Sequence, residues 1–123
     1  MAILVNRDTK VLIQGITGKS GLSACVDLLD YGMKVVGGVT PGKGGQEVLG
    51  LPVFDSVKEA VSAVGPIDAT MVNVPPLLTL DAALEAIDVG ISLVHMFAEK
   101  VPVLDTAKIL YRARKAGVRV LGP

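Results

Sequence analysis

Short runs of Val, Leu and Ile alternate along the chain with stretches in which apolar residues recur every three or four positions. The short runs predict buried β-strands, and the recurring spacing predicts amphipathic helices. The predicted buried strands cover residues 10–14, 34–39, 69–74, 91–96 and 118–121. A further strand at 51–54 contains Pro52, which cannot donate to a ladder hydrogen bond, so this strand is predicted at an edge of the sheet.

The predicted helices are recognised by their ends as well as by their spacing. Three of them stop at a glycine, a residue that suits a left-handed helix terminus. These glycines are Gly32, Gly90 and Gly117, and the last two close helices predicted over 80–89 and 105–116. Another helix begins near Asp55 and Ser56, either of which can cap it, with Glu59 following. Strands that alternate with helices in this way imply right-handed crossovers. We therefore predict an α/β, Rossmann-like three-layer domain with a mostly parallel twisted sheet.

Composition narrows the class of protein. A length of 123 residues leaves room for one domain. Twelve basic and twelve acidic side chains balance, which argues against a broad contact with nucleic acid or an anionic membrane. The single cysteine, Cys25, excludes an internal disulfide and a cysteine-based zinc site, and its place on an apolar helix stripe predicts a buried, inert thiol. The sequence shows no signal peptide and no membrane-spanning run, so we expect a soluble, cytoplasmic protein.

The turn after the first strand reads Gly-Ile-Thr-Gly-Lys-Ser-Gly over residues 15–21. Its three glycines allow a tight turn, and they place backbone N–H groups at a helix N-terminus, which is a ready site for an anion. In an open parallel sheet, ligands bind beyond the carboxyl ends of the strands. The pattern therefore predicts a phosphate-bearing ligand here, although a turn with a purely structural role has the same glycines.

Two better-known phosphate sites fit the residues less well. A P-loop would need a further glycine at position 13, which is Ile13. A nicotinamide-dinucleotide domain would carry an acid at the end of its second strand to hold the ribose hydroxyls. Here that strand ends in Val39 and Thr40, and the next loop offers Lys43. Because a lysine suits a phosphorylated ribose or a pyrophosphate, NADP fits better than NAD and stays open as an alternative.

The chain resembles the N-terminal, coenzyme A-binding domain of the α subunit of succinyl-CoA synthetase and of related NDP-forming acyl-CoA ligases. The resemblance covers essentially all of residues 1–123. It is carried by the glycine turn at 14–21, by Leu-Gly-Leu-Pro-Val-Phe at 49–54, and most specifically by Val-Gly-Gly-Val-Thr-Pro-Gly-Lys-Gly-Gly at 36–45.

The resemblance implies a coenzyme A site built from several short segments. Its residues are Gly15, Thr17, Gly18, Lys19 and Ser20, then Val39 and Lys43, then Asn73, Val74 and Pro75, and finally Met96, Phe97 and Ala98. The turn residues would line the phosphates, and Lys43 would give the main cationic contact. Val39 and the segment 73–75 would flank the adenosine or pantetheine portion, and the segment 96–98 would lie along the pantetheine arm near the thiol.

The chain also departs from the family pattern. Leu22-Ser23-Ala24 stands where the family carries Phe-His, and the segment 96–100 replaces Thr-x-Thr-Glu-Gly. The family continues past Gly-Pro with Asn-Cys-Pro-Gly and a second domain that bears a phosphohistidine, whereas this sequence stops at Gly122-Pro123. We therefore expect one coenzyme A-binding domain over 1–123, without the phosphohistidine domain, and we expect the lone His95 to be a packed residue.

The resemblance thus implies a domain that positions coenzyme A for thioester formation by an acid–thiol ligase of the succinate–CoA type. No catalytic residue is expected within it, so it would work with other ligase domains or subunits, or as a homo-oligomer. A stand-alone coenzyme A-binding module and an NADP-binding Rossmann domain remain the alternatives.

Overall fold

The structure, a computed structural model, describes residues 8–96 and 101–122. Within these residues seven strands are formed: β1 (Lys10–Gln14), β2 (Lys34–Val39), β3 (Glu47–Val48), β4 (Leu51–Phe54), β5 (Ala69–Val72), β6 (Leu93–Met96) and β7 (Arg119–Leu121). Four α-helices connect them: α1 (Lys19–Asp30), α2 (Val57–Val64), α3 (Thr79–Asp88) and α4 (Val103–Ala116), with a 3-10 turn at Pro76–Leu78. This is the predicted α/β, Rossmann-like architecture.

The strands form one sheet in the order β3-β4-β2-β1-β5-β6-β7. Every pair is parallel except β3 with β4. The chain moves outward from β1 through β2 to β4, and then returns to pair β5 with the other side of β1. The strand order therefore reverses between β1 and β5, which is the point where open α/β sheets bind their ligands.

The two faces of the sheet are covered unequally. The larger apolar cluster lies on one face, where β-strand residues such as Leu12 and Val94 pack with α2, α3 and α4. The smaller cluster on the opposite face joins α1 to β1, β2 and β4 through Ile13, Cys25 and Val53. Among the residues that the structure describes, α1 is the helix that packs on this second face, and a cavity of about 270 Å³ lies beside it over β5, β6 and β7. We call this region the open sheet face; its residues include Met71, His95 and Leu121.

One strand prediction was wrong. The strand at 51–54 was expected at the edge of the sheet, but β4 lies between β2 and the two-residue β3. Pro52 is accommodated because its backbone faces β2, and the pairing of β4 with β2 begins only at Val53, so no ladder hydrogen bond from position 52 is required. The prediction for Cys25 is confirmed in that the side chain is fully buried. Within the described residues, no helix combines the length and the apolar character needed to cross a membrane.

Candidate functional site

The turn between β1 and α1 is held by contacts that only glycine permits. Gly15 has a φ of +91°, and a Cβ atom there would lie 2.3 Å from the carbonyl oxygen of Asn73. A Cβ atom at Gly21 would lie 2.1 Å from the carbonyl oxygen of Gly15. Gly15 and Gly21 are therefore required by the crossing of strand and helix, whether or not a ligand binds.

Gly18 has a different role, because it is the N-cap residue of α1. Its backbone is extended, and as a glycine it has no side chain to accept a hydrogen bond from the first turn of the helix. The first N–H groups of a helix have no intrahelical acceptor and carry the positive end of the helix dipole. Lys19 and Ser20 begin the helix and are exposed. The N-terminus of α1 is thus open towards solvent at the point where the strand order reverses.

Lys43 lies in the loop that follows β2, residues 40–46, which we call the Lys43 loop. The Lys43 backbone N–H donates to the carbonyl of Thr40 at 3.0 Å. On either side of Lys43, the N–H groups of Gly42 and Gly44 both donate to the Oδ1 atom of Asp55, at 2.8 and 2.9 Å. A single carboxylate therefore fastens the backbone on both sides of the predicted cationic residue.

Asp55 was not among the predicted site residues, since the sequence indicated only that Asp55 or Ser56 caps α2. The structure assigns the cap to Ser56, whose Oγ accepts from the Glu59 N–H at 3.1 Å. This leaves the Asp55 carboxylate for the Lys43 loop. The sequence held a weak signal for this contact, namely an acid placed directly after the strand that neighbours the loop.

The glycine turn and the Lys43 loop are joined directly. The Gly15 N–H donates to the carbonyl of Val39 at 2.7 Å. The Thr17 hydroxyl donates to the Thr40 hydroxyl at 3.0 Å. Through Thr40, whose carbonyl accepts from the Lys43 N–H, the backbone of the Lys43 loop is tied to the turn that precedes α1. Thr40 is a second residue that the sequence did not mark as functional.

Asn73 approaches the same helix terminus from β5. Its N–H donates to the Gln14 carbonyl at 2.8 Å, which extends the strand pairing by one residue. Its side chain is only 8% exposed, and Nδ2 donates to the Oγ of Ser20 at 3.1 Å. Within the described residues the Asn73 Oδ1 atom is buried and has no hydrogen-bond partner. An unsatisfied buried polar atom beside an uncapped helix is typical of a site that a ligand completes.

A cavity of about 370 Å³ opens on the α3 side of this terminus; we call it the switch-point cavity. It is lined by Gln14, Val39, Pro41, Val74, Leu78, Asp81, Ala82 and Glu85. The Gln14 side chain is fixed, because Nε2 donates to the Ala82 carbonyl and Oε1 accepts from the Thr70 hydroxyl, both at 2.8 Å. The lining is mainly apolar with a few polar groups, which suits a flat ring system.

The remaining predicted residues are connected less directly to the N-terminus of α1. Pro75 is exposed at the start of the 3-10 turn, beside Val74. The Met96 side chain is 4% exposed and packs in the larger core cluster. Phe97 and Ala98 lie outside the described residues. His95 lines the cavity of the open sheet face, away from the α1 terminus. Among residues 8–96 and 101–122 no group of His, Cys, Asp and Glu side chains is arranged to hold a metal ion.

Residues 6–100 of the chain match the model of the CoA binding domain family. The ADP-forming succinate–CoA ligase subunit alpha 2 of Archaeoglobus fulgidus is 48% identical over 123 residues, which cover 100% of this chain and 42% of that protein. The corresponding subunit alpha of Aquifex aeolicus is 53% identical over 105 residues, 85% of this chain and 34% of that protein. The chain thus spans less than half the length of these relatives.

The same fold occurs in a solved structure of ATP citrate lyase from Methanothrix soehngenii in complex with citrate and coenzyme A. That structure superposes with a TM-score of 0.84 at 21% identity, over 98% of this chain and 21% of that one. At this identity the likeness concerns the fold, and the family match rests on the sequence.

Proposed function

This chain belongs to the CoA-binding domain family, and we propose that it binds coenzyme A across the carboxyl ends of β1, β2 and β5. The observation that carries the proposal is the uncapped N-terminus of α1 at the reversal of strand order. It lies between a lysine-bearing loop and a mainly apolar cavity, so the site offers anion contacts in the middle and a ring-sized space beside them. Coenzyme A has the matching order of chemical groups.

In the proposed pose, the adenine ring enters the switch-point cavity between Val39 and Val74. The phosphates lie against the turn residues 17–20 and within reach of Lys43, where helix dipole and ammonium both favour negative charge. The pantetheine arm then runs past Asn73 towards the end of β6, where residues 96–98 are predicted to flank it. Because β6 runs parallel to β5, the carboxyl ends of the two strands lie at the same edge of the sheet, and the arm follows that edge.

The proposed role of the chain is to bind coenzyme A and hold it in place. Coenzyme A supplies the thiol that forms a thioester, and a fixed orientation of that thiol removes part of the entropic cost of the reaction. We propose that this occurs in an acid–thiol ligase of the succinate–CoA type, in which other domains or subunits activate the carboxylate. The relatives' greater length supports such partners. A cytoplasmic location, consistent with the single unpaired cysteine, is part of the same proposal.

Isothermal titration with coenzyme A, dephospho-coenzyme A and NADP tests the ligand. We expect coenzyme A to bind with micromolar affinity and NADP to give no heat at the same concentrations. Dephospho-coenzyme A lacks one phosphate and serves as a matched comparison for the anion contacts. Binding of NADP in place of coenzyme A, or heat from none of the three, would contradict the proposal.

A further inference from the structure

We infer that Asp55 is a positioning residue for coenzyme A, which holds the Lys43 loop in the shape that presents Lys43 to a phosphate. This inference rests on the proposed function. It starts from the two hydrogen bonds that the Asp55 Oδ1 atom accepts from Gly42 and Gly44. Those donors flank Lys43 on both sides, so the carboxylate fixes the peptide groups from which the lysine side chain projects.

Backbone hydrogen bonds tie the two ends of the loop to β4, whereas Asp55 bonds its middle. Residues 41–47 are all exposed, so burial of apolar side chains does not order this segment. Gly42 and Gly45 have φ values of +86° and +92°, which are conformations that cost an L-residue free energy but allow glycine wide freedom in the unfolded chain. The two hydrogen bonds that Asp55 Oδ1 accepts lie on either side of Lys43 and hold the middle of the loop.

The local geometry is shaped around this carboxylate. A Cβ atom at Gly44 would lie 2.6 Å from Asp55 Oδ2 and 2.7 Å from its Cγ, so only glycine leaves space for the carboxylate at this distance. The Ser56 hydroxyl caps α2 and thereby leaves Asp55 free for the loop. Further hydrogen bonds, from the Gly45 N–H to the Val53 carbonyl and from the Thr40 N–H to the Phe54 carbonyl, set the loop against β4, the strand that ends directly before Asp55.

A carboxylate near a phosphate site repels the ligand, so its presence there requires a role that offsets the repulsion. Asp55 has such a role, because it accepts hydrogen bonds from two backbone N–H groups. Those donors partly neutralise the carboxylate while it orders the loop. The energetic contribution of Asp55 then passes through Lys43. This distinguishes it from a residue that contacts the ligand and from one that only stabilises the fold.

A double-mutant cycle tests the inference, with coenzyme A affinity measured for wild type, Asp55→Ala, Lys43→Ala and the double variant. We expect Asp55→Ala to weaken binding at least fivefold in the wild-type background and less than twofold in the Lys43→Ala background. Asp55→Asn is the matched control, since its Oδ1 accepts the same two hydrogen bonds, and it should bind within about twofold of wild type. The urea unfolding midpoints of all variants should agree closely, because the loop is exposed.

Equal losses for Asp55→Ala in both backgrounds would overturn the inference, as would full affinity in Asp55→Ala. These outcomes leave the proposed function intact so long as the wild-type protein binds coenzyme A. Failure of the wild-type protein to bind would instead contradict the proposed function itself.

Discussion

At the scale of single residues, the glycines of the β1–α1 turn have separate reasons for being glycine. Gly15 and Gly21 leave space for backbone atoms that come too close for any side chain, so they belong to the fold. Gly18 has an ordinary φ of −79° and leaves the helix terminus without a side-chain cap. The glycine pattern alone therefore could not distinguish a structural turn from a ligand site. The open helix terminus at Gly18 is the observation that favours a ligand site.

Substitution of Gly15 should destabilise the protein strongly. Gly15→Ala places a Cβ atom on the Asn73 carbonyl oxygen at a residue whose φ is +91°, so we expect a loss of about 2–4 kcal/mol in the free energy of unfolding. Gly18→Ala is the control: its Cβ would lie 3.3 Å from the nearest atom, and we expect a loss of about 1 kcal/mol or less. Urea denaturation measures both, and similar losses would refute the packing argument.

Lys43 is the residue on which the predicted anion contact depends most. We expect Lys43→Ala to weaken coenzyme A binding by more than tenfold, because the variant removes the cation that the Lys43 loop presents to a phosphate. Lys108→Ala changes an equally exposed lysine on α4 and should leave affinity unchanged. Calorimetric titration compares the three proteins, and full affinity in Lys43→Ala would remove this residue from the site.

At the scale of elements, α1 depends on a small core on its own face of the sheet. Cys25 is fully buried there with Ile13, Ile16 and Val35. Burial raises the pKa of the Cys25 thiol, because the thiolate loses its hydration in the apolar surroundings. The folded protein thus keeps a thiol proton that the unfolded chain releases above about pH 8.5, the usual thiol pKa.

Two measurements follow from this buried thiol. Below the usual thiol pKa both states hold the proton and the stability contribution is complete; as pH rises above it, stability falls. We expect the free energy of unfolding to drop more between pH 7 and pH 10 for wild type than for Cys25→Ala. A thiol reagent should react with Cys25 slowly in the native protein and rapidly in denaturant. Rapid reaction in the native state would show that α1 does not shield the thiol.

The sequence predicted the order of elements well, because most boundaries coincide with glycine or proline. The helix stops at Gly90 and Gly117 are confirmed, with φ values of +88° and +73°. The start of β6 was predicted at Ile91 but lies at Leu93. The Ile91 N–H donates to the Ala86 carbonyl at the end of α3, so it does not pair with a neighbouring strand. The strand β3 was missed because two residues carry no pattern, and it exists only where β4 offers an edge to pair with.

At the scale of the whole molecule, the sequence predicted the parallel sheet and the family. The contacts that connect the residues of the candidate site could be identified only from the folded structure. The family resemblance, carried most specifically by residues 36–45, is confirmed by the match over 6–100. The roles of Asp55 and Thr40 depend on contacts across 11 to 23 residues of chain, and such contacts leave no periodic signal. The open sheet face likewise follows from topology, since α1 is the helix that packs on that side within residues 8–96 and 101–122.

The central claim is that coenzyme A binds where the strand order reverses, and amide chemical shifts measured during a coenzyme A titration test it most directly. At 12.7 kDa the protein suits two-dimensional ¹⁵N–¹H spectra. We predict that the largest shifts fall on the N–H groups of residues 17–20, on the Lys43 loop and on Asn73, with Met71 and Leu121 little changed. Shifts concentrated on the open sheet face, or no shifts at millimolar coenzyme A, would contradict the account.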